Sequence, residues 1–555
     1  MYIDDQTFEQ DGTTKRRVLL RDNYKVEKGK YKKVTIANLS KLSDKEIEAM
    51  KVALKHKDVT EVQKLIDSDY ENGTKIGAII TLYQVAKELG ILKVLGKSRK
   101  GKLALWLIIA QILGAESRLS AVRLAREHAV AEILNIDSFS EDDLYATLDW
   151  LYDNKEKIEK GIYNQAINRK DKNERLFLYD VSSSYLEGDK NDLAAWGYNR
   201  DKKKGKKQIV YGLLTLDNGD PVGVDVFQGN TNDTKTFPDQ IKKVEQLFKC
   251  KDVTFVGDGG MIQGPQIEEL EDSDFNYTYI TSISKKSIRK LCREESPVEY
   301  SLFDKEIAEV IDKEEGFRYI LRQNPVRVKE LKKNRRDKIE KVEAEVSKSN
   351  KYLSESPGAK VSIQLRDLRK LIKKLKISSF LSVEESEEKT RKIIVKIDTE
   401  KKQEAGKFDG CYAIKTNLSK EEGDKNFIHE RYKYLSKVEY AFRTCKSDLD
   451  IRPLHLRNKE RTIASILVSM LSYKIERHLR ERWKDLDITV LEGIKKLESI
   501  TSIIIELGDE TKLQRVPKPN KECKELLDRV NVNIPTNLPY RDVEFVTRHK
   551  VKKEE

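Results

Sequence analysis

The chain has 555 residues, of which 38% are hydrophobic and 36% are charged, and its formal net charge is +13. This length is enough for two to four domains, and the hydrophobic share is enough for a core. The positive charge favours a polyanionic partner, with nucleic acid first, although a generally lysine-rich proteome would explain it equally well.

Three further features limit the compartment and the class of protein. The five cysteines are scattered without a CxxC pair, so neither a structural zinc site nor a disulfide framework is indicated. The acidic, polar N-terminus is unlike a signal peptide, and the longest apolar run, Ile463–Leu471, is too short to cross a bilayer. We therefore expect a cytoplasmic protein without a membrane partner.

Residues 1–42 are interpreted as a basic β-hairpin region. The arms are Lys15–Leu20 and Lys30–Leu39, with Gly29 in the turn. The hairpin is either a solvated edge or a DNA contact made through phosphate attraction.

Residues 43–171 are predicted to be a helical bundle and a DNA-binding domain. A capping-box pattern at Ser43 marks one helix start. Apolar spacings of three and four residues predict further helices at Gly77–Leu92, Leu103–Leu113, Ser117–Leu134 and Ser140–Ile158.

Residues 172–284 change to a strand-rich pattern. Strands are predicted at Leu176–Val181, Gln208–Leu216, Val222–Phe227, Val253–Val256 and Tyr277–Ile283. Helices are predicted at Thr236–Phe248 and Ile262–Leu270, before and after the fourth strand. This order predicts an α/β fold with a mixed sheet flanked by helices.

Residues 285–408 interrupt that pattern and are interpreted as an inserted α+β subdomain. Its Glu/Lys-rich helix, Pro325–Ser349, would also suit a solvated coiled-coil arm. A basic helix at Val361–Ile377 and a strand at Arg391–Asp398 complete the insertion.

Residues 409–484 are predicted to return to the core. They carry a strand at Gly410–Thr416 and helices at Asn426–Asp448 and Lys459–Trp483. The C-terminal region, 485–555, is predicted to contain one helix, one strand and a polar, loosely packed tail from Asp509.

Two predicted strands end in an aspartate. Asp180 directly follows the apolar run Leu176–Tyr179, and Asp258 directly follows Val253–Val256 and Gly257. Taken alone, Asp180 is better explained as a turn residue at a strand end, because burying a carboxylate is costly. Two strands that each deliver an aspartate at the carboxyl end, however, make the arrangement that Mg²⁺ requires.

A glutamate interrupts an apolar stripe on the predicted helix Asn426–Asp448. The stripe is formed, at steps of three and four, by Ile428, Tyr432, Leu435, Glu439, Phe442 and Lys446. Glu439 could pair with Arg443 or Lys446 on a solvated face, but Lys446 is too far along the helix for an i,i+4 contact. A glutamate turned into a site under the sheet is the second interpretation.

A basic segment, Gly197–Gln208, lies between the first two strands of the predicted sheet. Its cations are Arg200, Lys202, Lys203, Lys204, Lys206 and Lys207. The segment is either a mobile, solvated loop or a phosphate clamp for DNA, which Arg452 and Arg457 would extend.

These segments together resemble the Asp-Asp-Glu transposases of bacterial insertion sequences. The resemblance is carried, in order, by Thr35–Ser40, Tyr179–Gly188, Gly197–Gln208, Gly229–Phe237, Val256–Met261, Tyr432–Lys446 and Ile451–Leu467. The sixth segment resembles a subgroup marked Tyr-(2)-Arg-(3)-Glu-(6)-Lys. Tyr432, Glu439 and Lys446 match that signature, whereas Leu435 stands at the arginine position.

The resemblance implies an RNase H-like core interrupted by an insertion, and a metal-dependent phosphodiester hydrolysis followed by strand transfer. Asp180, Asp258 and Glu439 would hold two Mg²⁺ or Mn²⁺ ions. Tyr432 and Lys446 would hold the DNA end, and Arg431 or Arg443 would replace the missing arginine. The implied partner is double-stranded DNA, bound by a homodimer that bridges two element ends in the bacterial nucleoid.

Two alternatives to strand transfer remain open at this stage. One is a metal-dependent nuclease of RNase H-like fold, and the other is an inactive DNA-binding derivative. The basic N-terminal region and the Tyr432/Lys446 pattern favour the transposase over the nuclease. The presence of all three carboxylates argues against the inactive derivative.

Overall fold

The computed structural model describes residues 1–10, 13–26, 30–56, 69–168, 176–188, 190–271, 277–292, 307–312, 316–387, 391–507 and 511–543, and the single residues 303, 545 and 547.

The described strands, in chain order, are β1 Tyr2–Gln10, β2 Thr13–Val26, β3 Lys30–Asn38, β4 Asp69–Lys75, β5 Leu176–Tyr185, β6 Gln208–Leu216, β7 Pro221–Gln228, β8 Val253–Gly257, β9 Tyr277–Ser282, β10 Ala308–Ile311, β11 Arg318–Gln323, β12 Leu381–Glu385, β13 Ile393–Ile397, β14 Cys411–Thr416, β15 Thr501–Leu507, β16 Thr511–Arg515 and β17 Asn537–Leu538.

The described helices are α1 Asp44–His56, α2 Gly77–Glu88, α3 Ile91–Leu95, α4 Arg99–Ile112, α5 Arg118–Glu127, α6 Val130–Leu134, α7 Glu141–Asp153, α8 Lys155–Ile167, α9 Phe237–Lys242, α10 Gly264–Glu271, α11 Lys285–Leu291, α12 Pro325–Glu355, α13 Val361–Leu375, α14 Thr399–Gly406, α15 Lys425–Lys433, α16 Leu435–Ser447, α17 Lys459–Trp483, α18 Val490–Glu498 and α19 Lys521–Arg529. In the described part of the chain, every helix is too short or too polar to span a bilayer.

The chain divides into two compact units, neither of which is one continuous segment. The first unit contains Met1–Val85, Ser117–Glu141 and Leu479–Glu555, and the second contains Ala86–Glu116 and Asp142–His478. The predicted helical domain 43–171 is therefore not a unit by itself, since its helices are shared between the two. Periodicity identified these helices but carried no information about their partners.

The first unit confirms the predicted N-terminal hairpin and adds a strand to it. β2 pairs with both β1 and β3 in an antiparallel sheet. Acidic residues of β1 pair with basic residues of β2, as Asp5 does with Arg16 at 2.7 Å and Asp4 with Arg21 at 2.7 Å. Part of the basic charge of the hairpin is thus neutralised within the sheet. The turn with Gly29 lies outside the described residues.

The first unit also contains a second sheet, of order β17-β16-β15-β4. The prediction of a loosely packed tail from Asp509 is wrong. β16 and β17 join this sheet, and α19 buries Cys523, Leu526 and Leu527. Cys523, Leu526 and Leu527 stand at helical spacing in the sequence, but the prediction missed this short apolar stripe among charged residues.

The second unit is built on one eight-stranded mixed sheet of order β10-β11-β14-β9-β8-β5-β6-β7. β5, β6 and β7 are antiparallel neighbours, whereas β8 is parallel to β5 and β9 is parallel to β8. The five strands β7-β6-β5-β8-β9 therefore have the order 3-2-1-4-5 within the core. This is the RNase H-like arrangement that was expected from the resemblance.

Helices cover both faces of this sheet. Alternate residues of β5, namely Phe177, Tyr179 and Val181, belong to one core with residues of α8, α9 and α10. On the other face, α16 packs against β5, and Phe442 of α16 makes an edge-on ring contact with Tyr211 of β6 at 5.6 Å between centroids. Side chains alternate between the two faces along a strand. The odd-numbered residues of β5 therefore face α8, α9 and α10, and its even-numbered residues face α16.

The predicted insertion 285–408 divides into two parts that pack differently. α12, α13, β12 and β13 form a separate hydrophobic core, as expected for a subdomain. β10 and β11, however, extend the main sheet through pairing of β11 with β14. The insertion boundary predicted at residue 285 is therefore too early, because strand pairing is a long-range property that the local pattern does not reveal.

We predict that Trp483→Ala lowers the free energy of unfolding by about 3–5 kcal/mol. Trp483 is only 2% exposed, and its Nε1–H donates to the Leu526 carbonyl at 3.1 Å. Urea unfolding followed by circular dichroism measures the change. The control is Trp196→Ala, at a tryptophan that is 63% exposed, for which a change under about 0.5 kcal/mol is expected. Equal losses in the two variants would contradict this role of Trp483.

Candidate active site

The two aspartates meet through the register of β5 and β8. The parallel pairing matches Leu176 with Thr254 and Leu178 with Val256. If this register is continued for two residues, Asp180 lies opposite Asp258. Because neighbouring strands are about 4.8 Å apart, the two aspartates belong to the same small region of the sheet. Both positions lie on the sheet face that α16 covers, since the core on the opposite face takes Phe177 and Tyr179 from β5 and Phe255 from β8.

The glutamate approaches the same face on a separate helix. The predicted helix Asn426–Asp448 is two helices, α15 and α16, which are separated at Tyr434. Leu435, Val438 and Phe442 of α16 are buried, while Glu439 stays exposed beside them. No described basic side chain forms an ion pair with Glu439, so the pairing with Arg443 or Lys446 on a solvated face is not observed.

The carboxyl group of Asp180 carries the largest electrostatic perturbation of the three. The pKa of Asp180 is raised to about 7, first by burial and also by the charges of Asp258 and Glu439, although the hydrogen bond from the Val181 N–H lowers it. Both other carboxylates are therefore within electrostatic reach of Asp180. A carboxylate in this setting needs a nearby cation to remain ionised at neutral pH.

Asp258 is fixed by its glycine-rich turn. The Gly260 N–H donates to Asp258 Oδ1 at 2.9 Å, and the Gly259 N–H donates to Ser282 Oγ at 3.1 Å. A Cβ at Gly259 would stand 2.1 Å from the Ser282 carbonyl oxygen, so only glycine allows this close approach. Burial raises the pKa of Asp258, and the charge of Asp233 adds to the increase.

The chemistry of the three carboxylates fits a divalent cation, although their arrangement does not enclose one. Asp180 is partly buried and forms no ion pair with a described basic side chain, which leaves negative charge to be neutralised. Hard carboxylate oxygens are the ligands that Mg²⁺ prefers. Within the described residues, no three His, Cys, Asp or Glu side chains are close enough together to hold a metal ion. Convergence of all three on shared metal ions stays a prediction.

Tyr432 and Lys446 lie in different electrostatic surroundings. Burial raises the pKa of Tyr432, and the charges of Asp258 and Glu439 add to the increase, so this phenol adjoins the carboxylates. Burial lowers the pKa of Lys446 despite its ion pair with Asp201, in which Nζ lies 2.9 Å from Oδ1.

Asp201 is a site residue that the sequence reasoning missed. Its side chain is 2% exposed, and Arg452 also contacts its Oδ1, at 3.1 Å. The Tyr185 N–H donates to its other oxygen at 3.3 Å. A single acid within a run of lysines was the available signal, but sequence could not identify its partners, which lie far along the chain.

The cations of the basic segment are divided between paired and free. Arg200 donates to both oxygens of Asp233, at 2.6 and 2.8 Å, and Lys206 pairs with Glu187 at 2.5 Å. Lys203 lies over the Tyr185 ring. Lys202, Lys204 and Lys207 form no ion pair with a described acidic side chain.

The remaining predicted DNA contacts are spread over several elements. Arg431 lies over the Phe427 ring at 4.6 Å, and Arg443 lies over the Tyr440 ring at 5.9 Å. Arg457 is exposed and lies between α16 and α17. Leu435, at the position of the missing arginine, is buried. Which of these residues contacts DNA stays a prediction.

A family model of the transposase DDE domain matches residues 171–475, more than half of the chain. The chain therefore belongs to the DDE-domain transposase family.

No curated protein matches the chain significantly. Among solved structures, the chain is similar to the piggyBac transposase in a synaptic complex with hairpin DNA, at 8% sequence identity and a TM-score of 0.35 over 71% of this chain and 69% of that one. A likeness at this level carries no weight for function.

A buried histidine on α15, the helix of Tyr432, makes the stability of the protein sensitive to acid. Arg322 Nη1 lies 3.2 Å and Tyr412 Oη 2.5 Å from His429 Nε2. Since a guanidinium can only donate, Nε2 accepts and the ring is neutral. Burial, with the charges of Lys433 and Arg322, lowers the pKa of His429 from 6.5 to about 4.

We therefore predict that stability falls as the pH drops from 6.5 towards 4. In that range the unfolded chain takes up a proton on His429 that the folded chain does not, which costs up to about 3 kcal/mol. His429→Gln should reduce the pH dependence of the melting temperature. His455→Gln, at an exposed histidine, is the matched control. An unchanged pH profile in the His429 variant would refute the assignment.

Proposed function

We propose that this protein is the transposase of a bacterial insertion sequence, which cleaves DNA at the element ends and joins them to a target. The observation that supports the proposal is that Asp180, within β5, and Asp258, directly after the parallel strand β8, lie on the sheet face that the Glu439 helix covers. The raised pKa of Asp180, to which burial and the charges of Asp258 and Glu439 contribute, and the lack of an ion pair from a described basic side chain support a site for divalent cations.

The residues of the chain divide into three roles. Asp180, Asp258 and Glu439 would hold two Mg²⁺ or Mn²⁺ ions, with Asp180 between the other two carboxylates. When bound, such ions activate the attacking hydroxyl and stabilise the leaving oxygen. Tyr432, on which the charges of Asp258 and Glu439 act, would orient the DNA end. Lys446 and Arg452, which both pair with Asp201, would contact a DNA phosphate.

Double-stranded DNA is the proposed partner, in a homodimer that holds two ends together. The free lysines of the basic segment and the exposed cations on α16 and beyond support a phosphate-binding track. A metal-dependent nuclease would use the same carboxylates without joining strands. The decisive experiment therefore has to observe joining as well as cleavage.

We predict that the wild-type protein, with Mg²⁺, joins a pre-cut end to a plasmid target. The DNA is a duplex that carries the inverted repeat flanking the reading frame, and the products are resolved on a sequencing gel. Asp180→Asn should lower cleavage and joining by at least about a thousandfold, since the site loses one carboxylate charge. Binding of the duplex, measured by gel shift, should change little.

Three outcomes separate the alternatives. Hydrolysis without joined products favours the nuclease. Binding without either reaction in the wild-type protein favours the inactive derivative. Unchanged cleavage by the Asp180→Asn variant would reject the assignment of the site.

We also predict that Lys202→Gln, Lys204→Gln and Lys207→Gln together reduce the slope of log affinity against log salt by about 0.9 per lost phosphate contact. Fluorescence anisotropy of a labelled duplex measures this slope. The matched control replaces three other exposed lysines, Lys242 at the end of α9 and Lys249 and Lys251 in the segment that leads into β8. Equal effects of the two triple variants would show that only net charge matters.

A further inference from the structure

The helix that carries Glu439 begins without a rigid connection to the helix before it. α16 is separated from α15 at Tyr434. Tyr434 is also the N-cap residue of α16, and among the described residues its side chain makes no hydrogen bond to the first turn. Glu439 is only the fifth residue of this helix. The position of its carboxylate therefore depends on what holds the start of α16 against the sheet.

Lys437 attaches the start of α16 to the turn between β6 and β7. Its Nζ donates to the Asp217 carbonyl at 2.8 Å and lies 3.4 Å from the centre of the Tyr434 ring. Gly219 in the same turn has a φ of +81°, and a Cβ there would stand 2.9 Å from the Cβ of Lys437. The turn and the helix are thus in close contact two residues before Glu439.

The turn itself is fixed by a third element, α17. Lys474 is 1% exposed, and its Nζ pairs with Asp220 Oδ1 at 2.5 Å. Arg477 Nη2 donates to the Asn218 carbonyl at 2.8 Å. A buried ion pair resists separation, because the loss of one partner leaves an uncompensated charge. The turn is therefore a rigid support for the lysine that holds α16.

The far end of α16 is attached in a similar way. Lys446 Nζ lies 2.9 Å from Asp201 Oδ1, in the segment between β5 and β6. Glu439 thus lies between two lysine attachments on one helix, Lys437 before it and Lys446 after it. Two attachments hold both ends of a helix, whereas one attachment leaves the other end able to move. Functional side chains need support of this kind to keep a fixed geometry.

We propose that Lys437 is a positioning residue for the carboxylate of Glu439. Its hydrogen bond to the Asp217 carbonyl holds Glu439 where it can share a divalent cation with Asp180. This inference rests on the proposed function, because it requires that the carboxylates hold metal ions. It adds a residue that acts through the geometry of the site and makes no contact with DNA.

Lys437→Met tests this role, because it removes the hydrogen bond and keeps an apolar side chain beside the Tyr434 ring. Mn²⁺ is titrated into the DNA-free protein, and the free ion is measured by electron paramagnetic resonance. We expect the variant to bind Mn²⁺ about tenfold more weakly, the effect of losing a group that orients a metal ligand. A lysine that acted only as a nearby positive charge would give the opposite result, since its removal would strengthen the binding of a cation.

Three further variants separate position from charge. Gly219→Ala changes no charge, but its Cβ would press against Lys437, so it should weaken Mn²⁺ binding as well. Lys437→Arg retains a donor and should restore most of the affinity. Lys433→Met, at an exposed lysine that ends α15, is the matched control, and its Mn²⁺ affinity should not fall.

Two other measurements complete the test. The Mn²⁺ concentration for half-maximal DNA cleavage should rise in the variants that bind Mn²⁺ more weakly. The melting temperature without metal is measured for every variant, because a merely structural role of Lys437 would lower this temperature and leave the Mn²⁺ affinity unchanged. Asp180→Asn, which lacks a proposed ligand, gives the background of Mn²⁺ binding.

Two results would overturn the inference. Wild-type binding above the Asp180→Asn background, with equal or tighter binding by Lys437→Met, rejects the positioning role alone. Wild-type binding no stronger than that background rejects the metal site and the positioning role with it. If the expected order of Mn²⁺ affinities is found but the wild-type protein neither cleaves nor joins DNA, the proposed function fails and the positioning role of Lys437 stands.

Discussion

The parallel pairing of β5 with β8 is the constraint on which the candidate site depends. It brings two aspartates that are distant in sequence to equivalent positions on adjacent strands, and it directs both to the same face of the sheet. A slip of one residue would turn one carboxylate into the aromatic core formed by Phe177 and Phe255. The buried apolar residues of both strands fix the register. The packing of the core therefore also determines where the two aspartates lie.

Charge near the site is arranged so that the carboxylates remain uncompensated. Arg200, which influences both Asp180 and Asp258, is already paired with Asp233, and Lys446 is already paired with Asp201. Both cations are thus engaged by other acids, and the pKa of Asp180 is raised. The described side chains therefore leave negative charge at the carboxylates uncompensated. A site for divalent cations has this property.

The segment between β5 and β6 concentrates several properties in a short length of chain. Asp201 is buried among cations, three lysines remain unpaired, and Tyr198 stands at a polar cleft. The same segment touches the loop after β7 through glycine contacts and the segment after α16 through Asp201. Residues from three distant parts of the sequence are thereby held together at the carboxyl end of β5, the strand that carries Asp180 in its middle.

The sequence by itself determined the local elements and the identity of the chemical groups. Apolar runs located β5 through β9 to within a few residues, because a buried strand needs such a run, and the aspartates stood out because they ended one. Long-range pairing was not predictable in this way. Only the tertiary structure revealed the added strands β10 and β11, the packed α19, the assignment of helices to two units, and Asp201 between Lys446 and Arg452. These features depend on contacts between residues that are far apart in the chain. A local sequence pattern contains no information about which distant residues make such contacts.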